Sequence, residues 1–331
     1  MITFDHETRQ KNAFSAFFVL YRLAGDSFVW DTMKHFGIKV RQFVSHFATA
    51  FVAIMVLVVI SSATMTQLQG IIRKMRTLLQ ESVHYELPVG EGHVAVNGLL
   101  GKSITMTHAG EIFCIACGKR TSKSYSQGYC FPCFQDSANC SPCIIRPDLC
   151  RAHEGFGRDM DWERKNHLVD QAVYVAWTGG LKVGVTRADN VHTRWIDQGA
   201  TRAVVLAVTP NRHISGLVES SLKAHISDRT NWRRMLSDGE IEAADVLRAK
   251  HGLGTRLDAE LQTYLSDDDF VTEITYPVLE FPEKVKSISF DKQPMITGTL
   301  QGIKGQYLML DGGRVLNVRK HQGYSIAFEA S

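Results

Sequence analysis

Outside the stretch from Cys114 to Cys150 the chain has no cysteine: Cys114, Cys117, Cys130, Cys133, Cys140, Cys143 and Cys150 are its full set. That confinement excludes a disulfide framework spread through the fold, and an odd number at Cys-x-x-Cys spacing suits metal ligation in a reducing compartment. The chain also has almost no net charge, +3 over 331 residues. Total charge therefore identifies no polyanionic partner, and any such partner must be argued from local clusters. Low-complexity segments and longer repeats are absent as well. With 44% hydrophobic residues the chain is globular and long enough for two or three domains.

A further absence concerns residues 43–63, which contain no Asp, Glu, Lys or Arg. At about 1.5 Å rise per residue such a run spans a hydrocarbon layer of roughly 30 Å, and it also resembles a signal sequence that would need a later start. Lys34, Lys39 and Arg41 precede it and Arg73, Lys74 and Arg76 follow it, so flanking charge sets no orientation. A competing reading starts the functional protein at Met65 and treats residues 1–64 as an over-extended frame. The expected location is cytoplasmic, or inner-membrane-anchored with the cysteine-rich part in the cytosol. A membrane partner is expected only if residues 43–63 are translated.

The remainder reads as α+β. Residues 65–113 are expected to hold a helix followed by β structure, 114–153 the cysteine module, 168–236 a small α/β domain, 237–270 a helical segment and 271–331 a small β domain. Short strands punctuated by glycine occur in both "VNGLLGKSITMTHAGEIF" and "ITGTLQGIKGQYLMLDGGRVLNV", which raises a sheet or small barrel built from both ends of this part.

Within the cysteine module the ligand types fall in four pairs: Cys114/Cys117, Cys130/Cys133, Cys140/Cys143 and Cys150/His153. Eight thiol and imidazole groups fit two tetrahedral zinc sites with no cysteine left over, and a fully protein-ligated zinc is structural because it leaves no open coordination position. Iron–sulfur ligation is the weaker alternative. Lys119, Arg120 and Lys123 interleave with Tyr125, Tyr129, Phe131 and Phe134, a mixture found on surfaces that bind single strands or phosphate backbones.

Beyond the module, "AVYVAWTGGLKVGVTR" from Ala172 to Arg187 reads as a hairpin, followed by Arg194 on a short helix and Glu219 on a later one. Ala172–Tyr174, Lys182–Gly184, Arg194 and Glu219 together resemble the GIY-YIG nuclease superfamily over about fifty-five residues. In that family a hairpin carries the two name motifs, an arginine on the next helix holds the scissile phosphate, and a glutamate on a following helix binds a divalent metal. The resemblance implies catalytic roles for Tyr174, Arg194 and Glu219, and magnesium as cofactor if the site is catalytic. Lys182 stands where the second motif has tyrosine, and Ala172 where the first has glycine. Lys182 and His192 join the catalytic set, His192 as a proton carrier. Arg187, Arg233 and Arg234 add backbone contacts. The sequence from about residue 65 onward also resembles an uncharacterised bacterial domain family of unknown function.

Two functions follow as expectations. One is a zinc-stabilised nucleic-acid-binding protein, for DNA or RNA, acting as a metal-dependent endonuclease or as a binder only. The other is a non-catalytic zinc scaffold for protein partners.

Overall fold

Alternation of side chains with period two, rather than helical spacing, organises the first element described by the computed structural model, which covers residues 66–331 apart from Asp238 and Glu240. The uncharged run at 43–63 lies outside the described residues. Among those described, no helix is long and apolar enough to cross a membrane. Thr66–Ile71 forms a strand, β1, with Gln67 and Gln69 exposed and Leu68 packed on the core. The helix expected at the opening of this part is thus corrected to β. The C-terminal strand supplies an antiparallel ladder to every residue from Thr66 to Ile71, satisfying the backbone groups that a helix would have paired internally.

Arg76–Leu78 (β2), His84–Val89 (β3) and Gly92–Ala95 (β4) make a three-stranded antiparallel meander that buries Tyr85, Leu87 and Val89. Ser103–Phe113 (β5) then forms a hairpin with Arg120–Thr121 (β6). A short helix, Phe131–Asp136 (α1), and a string of 3-10 turns through Glu154 carry the cysteines onward. Met160–Asn166 (α2) is capped by Asp159, whose Oδ1 accepts from the N–H groups of Asp161 and Trp162.

The central α/β unit comprises Gln171–Trp177 (β7), Leu181–Arg187 (β8), Val191–Asp197 (α3), Arg202–Thr209 (β9), Arg212–Leu222 (α4), Trp232–Met235 (α5), Ala243–Gly254 (α6), Ala259–Gln262 (α7) and Thr272–Glu273 (β10). Its antiparallel sheet runs β10-β9-β7-β8. The unbroken apolar run of β7 follows from burial on both faces. Val173 and Val175 face one core with Val218, Leu222, Val246 and Leu253 of α4 and α6, whereas Tyr174 and Ala176 enter a larger core with Trp195 and Ile196 of α3.

Lys286–Ile288 (β11), Met295–Lys304 (β12), Tyr307–Leu310 (β13), Arg314–Asn317 (β14) and Tyr324–Ala330 (β15) complete the fold. The two echoing glycine-punctuated stretches share one eight-stranded sheet of order β1-β15-β5-β12-β13-β14-β11, with β6 paired to β5. Ile104 lies opposite Ala330 on one side of β5 and Gly298 on the other. The arrangement is an open sheet rather than a barrel.

Candidate functional site

The β5–β6 hairpin closes around the first Cys-x-x-Cys. The Gly118 N–H donates to the Cys114 carbonyl at 2.9 Å and the Cys114 N–H to the Lys119 carbonyl at 2.9 Å. The turn needs a left-handed residue, which Gly118 supplies at φ +72°. The second pair opens α1, where Cys130 is the N-cap residue and its carbonyl accepts from Phe134 at 2.9 Å. The four sulfurs of Cys114, Cys117, Cys130 and Cys133 lie within 4.8 Å of one another, with Cys117 and Cys130 Sγ 3.8 Å apart. A tetrahedral zinc with bonds of about 2.3 Å sets its sulfurs roughly 3.8 Å apart, so the group could hold zinc. Burial opposes ionisation of Cys114, but the N–H groups of Cys130, Cys117 and Ala116 outweigh it and bring the thiol down to about 6, favouring the thiolate that a metal requires.

The second group is Cys143, Cys150, Glu163 and His167, all buried. His167 Nδ1 lies 3.6 Å from Cys150 Sγ and 4.0 Å from Cys143 Sγ, and the Glu163 carboxylate contacts the same nitrogen. The Cys143 hydrogen bond lowers the Cys150 thiol; burial opposes, His167 reinforces, and the group settles at about 4. This set also could hold zinc. Of the eight expected ligands it takes Cys143 and Cys150, leaves out Cys140 and His153, and adds Glu163 and His167. Cys140 is half-buried and belongs to neither group, and burial raises its thiol. His153 is exposed and stacks on His213 at 4.5 Å between ring centroids. Helix α2 sets Glu163 and His167 four residues apart on one face, a spacing visible in the sequence once the helix is drawn.

This second group is fastened to α4. Arg212, buried at the start of that helix, donates from Nε to the Cys143 carbonyl and from Nη2 to the Ile144 carbonyl, both at 2.9 Å. Two turns of chain meet without side chains between them at Gly216, where a Cβ would lie 2.0 Å from the Asp148 nitrogen.

Between the cysteine module, the β7–β8 hairpin, α3 and α4 opens a cleft of about 1100 Å³. Its walls include Lys182 and Gly184 of β8, Arg194 and Gln198 from α3 and its C-cap, Arg212, Glu219 and Lys223 at α4, and Ser126, Gln127 and Arg146 of the module. Arg229 and Arg319 add to an excess of cations over the two carboxylates, Glu219 and Asp228. Lys182 is only 3% exposed. Burial and then Arg194 push its amine down to about 8, against the pull of Glu219 and Asp228. Burial likewise raises the Glu219 carboxyl, and Asp228 raises it further while Lys223 at 3.7 Å opposes. A buried carboxyl under that strain offers the hard oxygen that a divalent cation favours.

Tyr174 reaches the cleft only indirectly. It is fully buried, its hydroxyl donates to Gln198 Oε1 at 2.6 Å, and its ring covers Gly184, where a Cβ would lie 2.5 Å from the phenolic oxygen. His192 is exposed and edge-on to Trp195. Arg187 is tied to Asn166 and Asp189, and Arg233 lies over the Trp232 ring. These three and the exposed Arg234 stand outside the described lining of the cleft. Lys119, Arg120 and Lys123 are exposed on the module's hairpin and the loop after it.

The family model described as "Protein of unknown function (DUF2797)" matches residues 101–326. The chain belongs to that family. No curated protein and no solved structure matches it. The span matched by the DUF2797 model takes in both cysteine groups, the cleft and the large sheet from β5 to the first residues of β15.

Arg212 and Arg319 are among the cleft residues that no motif in the sequence marks. Arg319 belongs to the turn before β15, and Asp197 lies 3.9 Å from its guanidinium. Asp197 itself is held by Lys74 at 2.7 Å and by Gln306 Nε2 at 2.8 Å. Only tertiary packing brings these four segments together, so no local spacing announces them.

Proposed function

We propose that this protein binds nucleic acid in the cationic cleft and, with a divalent cation on Glu219, cleaves the phosphodiester backbone. The observation that carries the reading is the convergence of Lys182, Arg194 and Glu219, from β8, α3 and α4, on one cleft. Arg194 and Glu219 have the residue types and order for which the GIY-YIG resemblance implies phosphate and metal contacts, and Lys182 stands at the position of the second motif's tyrosine. Arg194 offers a planar fork to phosphoryl oxygens, and its Nε is buried without a hydrogen-bond partner. Lys182 adds a point charge from the sheet. A cation such as magnesium would supply charge neutralisation at the phosphate and activation of water. The two cysteine groups, filled by zinc, hold the opposite wall.

The test uses the zinc-loaded full chain with plasmid DNA and with a long RNA. Magnesium-dependent cleavage that Arg194→Ala and Glu219→Gln abolish supports the proposal; cleavage surviving both substitutions overturns the site. A second reading, binding without turnover, is favoured by the complete burial of Tyr174 and by Lys182 in the place of a tyrosine. It predicts salt-sensitive binding that Arg194→Ala weakens, with no product at any magnesium concentration. Absence of binding to either nucleic acid at low salt overturns both.

A further inference from the structure

Helix α1 buries none of its residues. Phe131 is 49% exposed and Phe134 37% exposed, although both ride on a helix anchored at each end of its first turn by the cysteines of the first group. Their rings do not stand singly. Tyr125 lies 5.8 Å from Phe134 in a near-parallel stack and 5.3 Å from Phe131 in a tilted one, with Lys123 Nζ 5.1 Å from the Tyr125 ring centre. Arg158 brings a further cation to the C-terminal end of α1 through hydrogen bonds to the Phe134 and Ser137 carbonyls.

This aromatic face adjoins the cleft. Ser126 and Gln127, the residues directly after Tyr125, line it, and neighbouring Cα atoms are about 3.8 Å apart. The turn between them is fixed: Tyr125 and Tyr129 exchange backbone hydrogen bonds at 2.8 Å, and Gln322 Nε2 donates to the Gln127 carbonyl at 3.0 Å. Ser126 and Gln127 adopt φ of +42° and +65°, an uncommon region for residues with a Cβ. A row of two exposed rings, Phe131 and Phe134, backed by the half-buried Tyr125, flanked by cations and leading into a basic groove, matches what an unpaired strand requires. Such a strand has a polyanionic backbone and free base faces that stack on aromatic side chains. In a duplex the base faces are already stacked on one another and the rings would find no partner.

We propose that Tyr125, Phe131 and Phe134 form a base-stacking platform for single-stranded nucleic acid, which delivers the strand's backbone into the adjoining cleft. The proposal rests on the nucleic-acid reading of that cleft and narrows its substrate to unpaired segments.

The experiment compares binding of a dye-labelled single strand of about 16 nucleotides with that of its duplex, by fluorescence anisotropy. It uses the zinc-loaded full chain in magnesium-free buffer. Wild-type protein is expected to prefer the single strand. The double variant Phe131→Ala/Phe134→Ala is expected to lose about tenfold or more in single-strand affinity, with duplex affinity and the salt dependence unchanged because no phosphate contact is removed. Phe131→Trp/Phe134→Trp, which keeps the stacking faces, is expected to bind as wild type and so separates stacking from folding. Equal wild-type affinity for strand and duplex, or an alanine variant that binds the single strand as wild type does, overturns the platform and leaves the cleft reading standing. Wild-type protein that binds neither probe overturns both. A surface used instead by a protein partner gives the second of these outcomes, binding to nucleic acid that ignores the rings.

Discussion

The Nε of Arg212 donates to the carbonyl of Cys143 at 2.9 Å, joining the helix that carries Glu219 to the loop that carries the second cysteine group. The guanidinium is buried, and a buried cation needs fixed acceptors to offset the loss of water. Those acceptors exist only while the loop keeps its shape. The wall of the cleft carrying Glu219 is therefore tied to the loop of a group that could hold zinc, so the proposed function is expected to depend on that metal.

Zinc removal gives the first prediction. Elemental analysis is expected to find two zinc ions per chain, one for each group. Structural zinc contributes on the order of 10 kcal/mol to folding of small modules. Chelation is therefore expected to lower the melting temperature and abolish nucleic-acid binding together. Full binding by a metal-free chain contradicts the link.

Glu219→Gln removes the carboxylate proposed to hold the divalent cation and keeps the shape of the side chain. Cleavage is expected to fall by a factor on the order of 10² or more, while affinity for nucleic acid holds or rises because a buried negative charge has gone. Single-turnover cleavage and anisotropy measured side by side separate the two effects.

Lys182 sets a pH dependence. With its folded pKa held down to about 8, it is charged below that pH and loses its proton above it. Affinity for a polyanion is expected to drop as pH passes through about 8, a step absent from Lys182→Met. Stability runs the other way. The unfolded chain keeps its proton up to about 10.4, so the folded state gains relative stability as pH rises from about 8 to that value. At pH 7 Lys182→Met is expected to raise stability by about 1–3 kcal/mol, seen as a higher melting temperature, while binding weakens.

Gly216→Ala tests the contact between α4 and the cysteine module. In an exposed helix interior alanine gains about 1 kcal/mol over glycine. Here the new Cβ meets backbone atoms of Pro147 and Asp148 within 2.3 Å, so a loss of about 1–3 kcal/mol or more is expected. Denaturant unfolding reads the sign directly.

Arg319→Ala asks whether the large sheet contributes to the cleft. Loss of one phosphate contact is expected to weaken binding about uniformly across sequences and to reduce the salt slope by about one. An unchanged slope removes Arg319 from the interface.

The two thiol pairs of the first group were legible because each is local, whereas their meeting in one group is decided by the fold. Two residues between ligands bring both sulfurs of a knuckle to one point whatever the rest of the fold does, and each knuckle here has its own turn. The α/β hairpin was legible for a similar reason: the apolar run of β7, the Gly179–Gly180 turn and β8 pair within a few residues of one another. Membership of the second group was not legible by spacing alone. His153 lies at Cys-x-x-His distance from Cys150, yet it is His167, presented by α2, whose ring reaches the sulfurs.

By itself, then, the sequence determined the local devices: thiol pairs, hairpin strands, and the order Lys182, Arg194, Glu219. Tertiary structure decided what those devices face. It turned the opening segment from an amphipathic helix into an edge strand, because β15 offered a ladder for its backbone. It also assembled the cleft, because Arg212, Arg319 and the Ser126–Gln127 turn come from distant segments. Their approach depends on burial and backbone contact, and neither leaves a periodic mark in the sequence.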